Sequence, residues 1–391
     1  MNYLYKVKKF SPYSVIICFF VIASIIIPSR FARAANEYRV VPSIAITEKY
    51  NDNIYLSDKN DNPEHDWITT VSPGLLLSTR TERLDMTLSG RLDGNYYAKR
   101  DENNKWDQFY NGNLHYKVTD RLGLGIQGGY SITYSVDRDI DTTGLVQPSG
   151  RQDRATAGGS IDYLLGSLTT AVLSYNYDNV NYDQQENDDS WGHTASLSLN
   201  RVLSETTKGR LNFGYSNYHY TDSTSDSYKG TIGFSRDISP KWSILCDAGA
   251  NFTHTTYSDE WGFTGQLALS YKDDYNTGNL TVSKDVLPAI GLNSSTDRTA
   301  VMLNYQRRFT QEFSGFLQGG YYWNKSDAGQ YSREEIDDRT ATGSAGLRYD
   351  FTKDIYMEAS YRYTRVDHEQ TDTYAEQNLV LVRLYLQHSF L

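Results

Sequence analysis

The feature that most constrains this chain is a period of two. Between Arg83 and Tyr96, the residues Leu84, Met86, Leu88, Gly90, Leu92, Gly94 and Tyr96 fall on one face. Asp85, Thr87, Ser89, Arg91, Asp93 and Asn95 fall on the other. Such alternation is the mark of a strand with one apolar and one polar face. It recurs about eighteen times along the chain, broken by tight turns and longer polar segments. A soluble antiparallel sheet would bury the apolar faces against a second layer. Almost nothing in this sequence is available to form one. A closed barrel solves the problem, with its apolar face toward lipid and its polar face toward a lumen.

The expected fold is therefore all-β: an antiparallel, up-and-down, transmembrane outer-membrane β-barrel of about eighteen strands, running from residues 38–50 to residues 377–391. Sixteen is the next choice, because the segments 261–272 and 277–286 alternate least clearly and strands are lost in pairs. No window after the leader approaches the ~20 apolar residues of a membrane helix. Mean hydropathy is −0.59, as expected when lumen residues offset lipid residues. Tyrosine is abundant, 33 of 391 residues, which suits aromatic girdles at two membrane interfaces.

Residues 1–34 read as a cleaved secretory signal peptide. Lys6, Lys8 and Lys9 precede an apolar stretch, and Phe31-Ala32-Arg33-Ala34 supplies a small-residue cleavage pattern. Residues 35–391 then form a single barrel domain without a linker, located in the bacterial cell outer membrane. Cys18 lies inside the leader, so Cys246 is the one mature cysteine, and its alternation places it toward lipid. The net charge of −10 opposes nucleic-acid binding. No metal or cofactor motif is present.

If the first strand leaves the periplasm, links such as residues 80–82, 119–121 and 166–167 are periplasmic and short. The external links 51–66, 137–153, 287–296, 325–338 and 368–376 are longer and mostly acidic. That asymmetry is the outer-membrane pattern. A long external loop folded inward, with 137–153 or 325–338 the candidates, would make a gated pore. In the last strand Val380, Val382, Leu384, Leu386 and Phe390 share a face, and Arg383, Tyr385, Gln387 and Ser389 the other. Tyr385 and the near-terminal Phe390 resemble the signal read by the barrel-assembly machinery, with Leu391 departing from a terminal Phe.

The N-terminal segment carries a further resemblance. Pro42-Ser43-Ile44-Ala45-Ile46 leads into Tyr50-Asn51-Asp52-Asn53-Ile54-Tyr55-Leu56-Ser57, then Trp67-Ile68 and Val71-Ser72-Pro73-Gly74-Leu75. This resembles the opening of the β-barrel porin 2 family, and the strand rhythm is similar over the mature length. Members are often associated with exopolysaccharide or capsule genes. The resemblance implies a role in polysaccharide export and no catalytic residues.

The constellation of most interest is the inward-facing charge. Arg308, Arg348, Arg362 and Arg383 come from neighbouring strands and would form a basic wall. Asp85, Asp93, Asp162, Asp178 and Asp247 would line the far side. Opposed walls would put a transverse field across a pore. The bland reading is that each charge pairs locally, Arg362 with Glu358 for example, and merely rigidifies the lumen. Catalysis is not expected. Of His65, His115, His193, His219, His254, His368 and His388, only His115 reads as lumenal on a strand, and no nucleophile joins it.

The leading functional expectation is a porin-like channel, for passive solute passage or polysaccharide export. The rivals are a non-conducting barrel that serves as a platform for an envelope or secretion complex, and a sheath around a periplasmic electron conduit. The expected partners are outer-membrane lipid and lipopolysaccharide, the assembly machinery and polysaccharide or periplasmic export components.

Overall fold

The computed structural model describes residues 37–146, 149–183, 188–289 and 294–390. The expected leader, residues 1–34, lies outside the described residues. The first six strands are β1 (Glu37–Asn51), β2 (Asp66–Arg80), β3 (Leu84–Tyr97), β4 (Lys105–Lys117), β5 (Leu122–Thr133) and β6 (Gln152–Gly166). The next six are β7 (Thr169–Tyr182), β8 (Ser190–Ser204), β9 (Thr207–Tyr220), β10 (Thr224–Asp237), β11 (Trp242–Thr255) and β12 (Asp259–Lys272). The last six are β13 (Asn276–Ala289), β14 (Ser294–Arg308), β15 (Phe313–Ser326), β16 (Ile336–Thr352), β17 (Ile355–His368) and β18 (Thr373–Gln387).

Each strand pairs antiparallel with its sequence neighbours, and β18 pairs with β1, so the 18-stranded sheet closes. Closure removes the sheet edges that lipid cannot satisfy. The alternation sorts as the sequence requires. Thr47, Asn51, Thr70, Asn251, Thr253, Thr340, Thr364 and Gln377 are at most 6% exposed and share the lumen face. Ile44, Ile126, Ile232, Phe263 and Leu347 are 42–67% exposed on the opposite face, where lipid covers them. This inversion of burial follows from the bilayer acting as the apolar solvent.

Aromatic pairs mark both interfaces. At the external rim, Tyr50 packs on Trp67 at 5.3 Å, Trp191 stacks on His219 at 4.0 Å and Phe252 meets Trp261 at 5.0 Å between centroids. At the periplasmic rim, Trp242 meets Tyr271 at 4.7 Å and Tyr349 meets Phe351 at 5.1 Å. Such belts hold a barrel at fixed depth.

Three expectations change in detail. The segments judged weakest, β12 and β13, are complete strands of 14 residues each. Two expected long external links shorten, because β13 and β14 run into the first and β17 and β18 into the second, leaving residues 290–293 and 369–372. β18 ends at Gln387, although Phe390 still bridges to Val40 through Phe390 N donating to Val40 O at 2.9 Å. Leu391 lies outside the described residues.

Candidate functional site: a loop across the lumen

The first part of the connection between β5 and β6, residues 134–146, does not stay at the rim. It carries a short helix, α1 (Ile140–Thr143), into the barrel. On an 18-strand ring, β15–β17 stand almost opposite the β5–β6 hairpin. The loop reaches them. Arg362 on β17 donates to Asp141 Oδ2 at 2.6 Å and lies 3.8 Å from Asp137 Oδ2. Asn324 Nδ2 on β15 donates to Thr143 O at 3.0 Å, and Thr340 Oγ1 on β16 donates to Gly144 O at 2.5 Å. Tyr322 Oη on β15 donates to Asp141 O at 2.5 Å. Side chains of the far wall therefore satisfy backbone carbonyls that a buried loop could not otherwise leave unpaired.

The near end is held as well. Arg138 sits 5.9 Å above the Tyr182 ring, and Asp139 lies 3.8 Å from Arg154 of β6. Burial pushes the Asp139 carboxyl up from its ordinary range, against the pull of Arg154 and Arg138. Burial also lowers Arg138.

A second segment, residues 52–65 between β1 and β2, packs on the first. Leu56, Val136, Ile140, Val366 and Ala375 form one buried apolar cluster inside the mouth. Asn53 ties the segment to β18, its Nδ2 donating to Glu376 O at 2.9 Å while Gln377 Nε2 donates to Asn53 O at 2.9 Å. The Tyr50–Ser57 motif is thus the base of this plug-like packing. The mouth on the β17–β1 side is filled by apolar side chains, and the loop is the boundary of what remains.

Gly144 ends the helix at φ 71°, in the left-handed region. A Cβ there would stand 2.3 Å from Cβ of Tyr322. Gly144→Val should detach the crossing loop without opening the barrel. The expected result is new proteolysis within residues 134–151, with the heat-modifiable gel shift of the folded barrel retained.

The register places all nine singled-out charges on the lumen side, each with a partner. Arg308, Arg348 and Arg383 lie on one line of paired residues: Arg308–Ser314–Arg348–Glu358–Arg383–Thr47. Arg362 stands apart, four residues beyond Glu358 along β17. Arg308 donates to Asp274 O at 2.8 Å, turned toward the periplasmic rim. Arg348 binds Asp350 at 2.6 Å and covers the Tyr356 ring at 3.6 Å. Arg383 donates to Thr47 Oγ1 at 3.2 Å and lies 4.0 Å from Glu358. The expected Arg362–Glu358 pair is thus replaced: Glu358 faces Arg383, and Arg362 is taken by the loop.

On the acidic side, Asp85 binds Arg80 at 2.6 Å and Asp93 binds Arg91 at 3.0 Å. Asp162 meets His115 at 2.9 Å, Asp178 meets Arg154 at 2.7 Å and Asp247 meets Arg210 at 3.2 Å. His115 and Asp85 line a polar recess of about 600 Å³ in the periplasmic half, with Asn113, Gln127, Ser160 and Asn176. The lumen is therefore a mosaic of paired charges.

Sequence reasoning did not single out Asp137, Asp141, Tyr322, Asn324 or Thr340, which fasten the loop. The available signal was Ile140 with Leu145 and Val146, apolar residues inside a long polar link. Tyr385 faces the lumen in register with Ala45 and Tyr356, and Phe390 is 52% exposed. Among the described residues, no group of three or more His, Cys, Asp or Glu is arranged to hold a metal.

Comparison with known proteins agrees with this architecture. A family model described as an outer membrane protein beta-barrel domain matches residues 194–384. The chain is an outer-membrane β-barrel. That match, with the closed sheet and lipid-facing belt, places it in the bacterial outer membrane. Its fold is similar to that of OccAB4 from Acinetobacter baumannii, with TM-score 0.50 and 9% identity over 90% of this chain and 98% of that one. OpdK, an outer membrane protein from Pseudomonas aeruginosa, gives TM-score 0.49 and 10% identity over 90% and 99%. No curated protein matches the sequence.

Proposed function

We propose that this barrel is a porin-like channel for small polar solutes, with the crossing segment 134–146 as its constriction. One observation carries the reading: the loop spans the lumen and is fastened to the far wall by Arg362, Tyr322, Asn324 and Thr340. A barrel of 18 strands encloses room for an aqueous path. A loop held across it narrows that path and lines it with paired charge, which is how porins sort solutes by size and polarity.

The likeness of residues 42–75 to the β-barrel porin 2 family adds a finer reading, in which the solute is a polysaccharide strand. The loop is fastened across the lumen, so in that reading the strand would pass beside it or displace it. In that reading the partners are periplasmic export components, with Tyr385 and Phe390 as the assembly signal.

The apolar cluster around Leu56 and Ile140 favours a second reading, a sealed barrel acting as an envelope platform. Planar-bilayer recordings of the refolded mature protein separate the two. Stable conductance steps are expected, with brief blockades when linear oligosaccharide is added if the export reading holds. A folded barrel that stays silent at all voltages would overturn the channel and leave the platform.

A further inference from the structure

One seam of the barrel is open. β12 and β13 pair only from Gly265↔Lys284 down to Lys272↔Thr277. Above that level, the backbone of Asp259–Thr264 pairs with β11 alone and that of Asp285–Ala289 with β14 alone, and Thr264 Oγ1 closes the foot of the gap by donating to Lys284 O at 3.2 Å or Asp285 Oδ1 at 3.1 Å. The upper β13–β14 hairpin leans into the lumen instead. Lys229 on β10 binds Asp285 at 2.5 Å, and Tyr220 on β9 meets Ser295 on β14 at 3.1 Å. Unpaired strand edges at membrane depth are tolerated only where protein covers them or water reaches them. Trp261 and Phe263, 76% and 58% exposed, stand on the outer face of this edge, so the gap opens at the outer aromatic girdle.

A separate segment covers the gap. Residues 327–335, between β15 and β16, reach the β11–β12 turn, where Thr255 Oγ1 and Ser258 Oγ donate to Gln330 O at 3.0 and 2.8 Å. Tyr331 is 3% exposed there, within electrostatic reach of Asp297 and Glu260, and burial pushes its hydroxyl up to about 12. Two hydroxyls on one carbonyl are a light fastening, of the kind drawn from the low-stability end of a structure.

Behind the gap lies an unmet polar group. Asn251 is 1% exposed, and neither its Nδ2 nor its Oδ1 has a hydrogen-bond partner among the described residues. Its register partner is Gly262, and the Asn251 amide lies over it, its Oδ1 2.3 Å from where a Cβ would stand. A buried amide left unpaired costs about 1–3 kcal/mol, so such a site calls for a guest with hydrogen-bonding groups. Two of the nearby cations are already matched, Lys229 with Asp285 and Lys284 with Asp297 at 2.9 Å.

We propose that the β12–β13 seam is a lateral port that binds a single-tailed amphiphile with an uncharged, hydroxyl-bearing head. The head lies inside against Asn251, the tail lies outside along Trp261 and Phe263, and residues 327–335 with Tyr331 form the latch. The port does not depend on whether the lumen conducts ions.

Photoaffinity labelling tests this, using an alkyl glucoside with a diazirine in its tail and the full barrel in lipid vesicles. Labelling should concentrate on β12 and the 327–335 segment and be displaced by unlabelled alkyl glucoside. Asn251→Leu should weaken it about tenfold, the loss of roughly one hydrogen-bonded head contact. In a Cys246→Ala background, Ser258→Cys with Gln330→Cys bridged by a short bismaleimide should abolish it, and Tyr331→Ala should increase it. Ion conductance should be unchanged by the bridge, which separates this port from the channel reading. Labelling spread evenly around the apolar belt, labelling indifferent to the bridge, or a bridge that removes conductance together with labelling would each overturn the port.

Discussion

Arg362→Ala should raise single-channel conductance by about twofold or more and shift selectivity toward cations. Among the described residues, Arg362 is the one cation joined to the crossing loop from the far wall, through Asp141 at 2.6 Å and Asp137 at 3.8 Å. An ion pair with one half-exposed partner contributes about 1 kcal/mol, which changes a docked-to-undocked ratio about fivefold. Removing it also leaves two carboxylates on the loop without their partner, and their repulsion of anions sets the sign of the selectivity change. Tyr322, Asn324 and Thr340 still hold backbone carbonyls, so the loop should flicker between positions and not vanish. Planar-bilayer traces should gain a larger, noisier open level. Asp141→Asn should give the same noise with less shift toward cations, because it removes one of the carboxylates. Conductance equal to that of the unmodified protein in both variants would mean that the solute path does not pass the loop.

The barrel was legible because its cause is local. Lipid outside and water inside impose a period of two on every strand, and the pattern survives at Leu84–Tyr96 with no knowledge of any contact. Loop lengths carried the orientation for the same reason. The constriction was legible only in part. The link 137–153 was one of two candidates, with 325–338, whose inward fold would mark a gated pore, but the side chains that receive it come from β15, β16 and β17, nearly two hundred residues away or more. Nothing in Tyr322, Asn324 or Thr340 distinguishes them from other polar residues on a lumen face. The register sets the four arginines on the lumen face, but spacing carried no sign of their partners. Arg362 took its acid from a loop and not from Glu358 on its own strand, because a pairing across the lumen leaves no trace in spacing. The seam between β12 and β13 was hidden for a different reason. These two segments alternate least clearly of all, but weak alternation reads as a missing pair of strands and not as a pair that parts part-way up.

The assignment of faces itself can be tested by moving one charge by one residue. Ile232 lies mid-strand in β10 and is 67% exposed on the lipid side. Its neighbour Thr231 points into the lumen, where Asn212 Nδ2 donates to its hydroxyl at 3.1 Å. Ile232→Arg should cost about 2–4 kcal/mol, the penalty of a guanidinium near the bilayer midplane. Thr231→Arg should cost about 1 kcal/mol or less, since the charge enters a polar lumen and one neutral hydrogen bond is lost. Urea unfolding in lipid vesicles, followed by tryptophan emission, reads both. The contrast matters more than either value, because a strand slipped by a single residue exchanges every side chain between the two faces. Comparable costs at the two positions would mean that β10 does not separate lipid from lumen, and with it the closed barrel, the crossing loop and the lateral seam would lose their common frame. A gap of 2 kcal/mol or so in the expected direction fixes that frame at the depth where Ile232 sits.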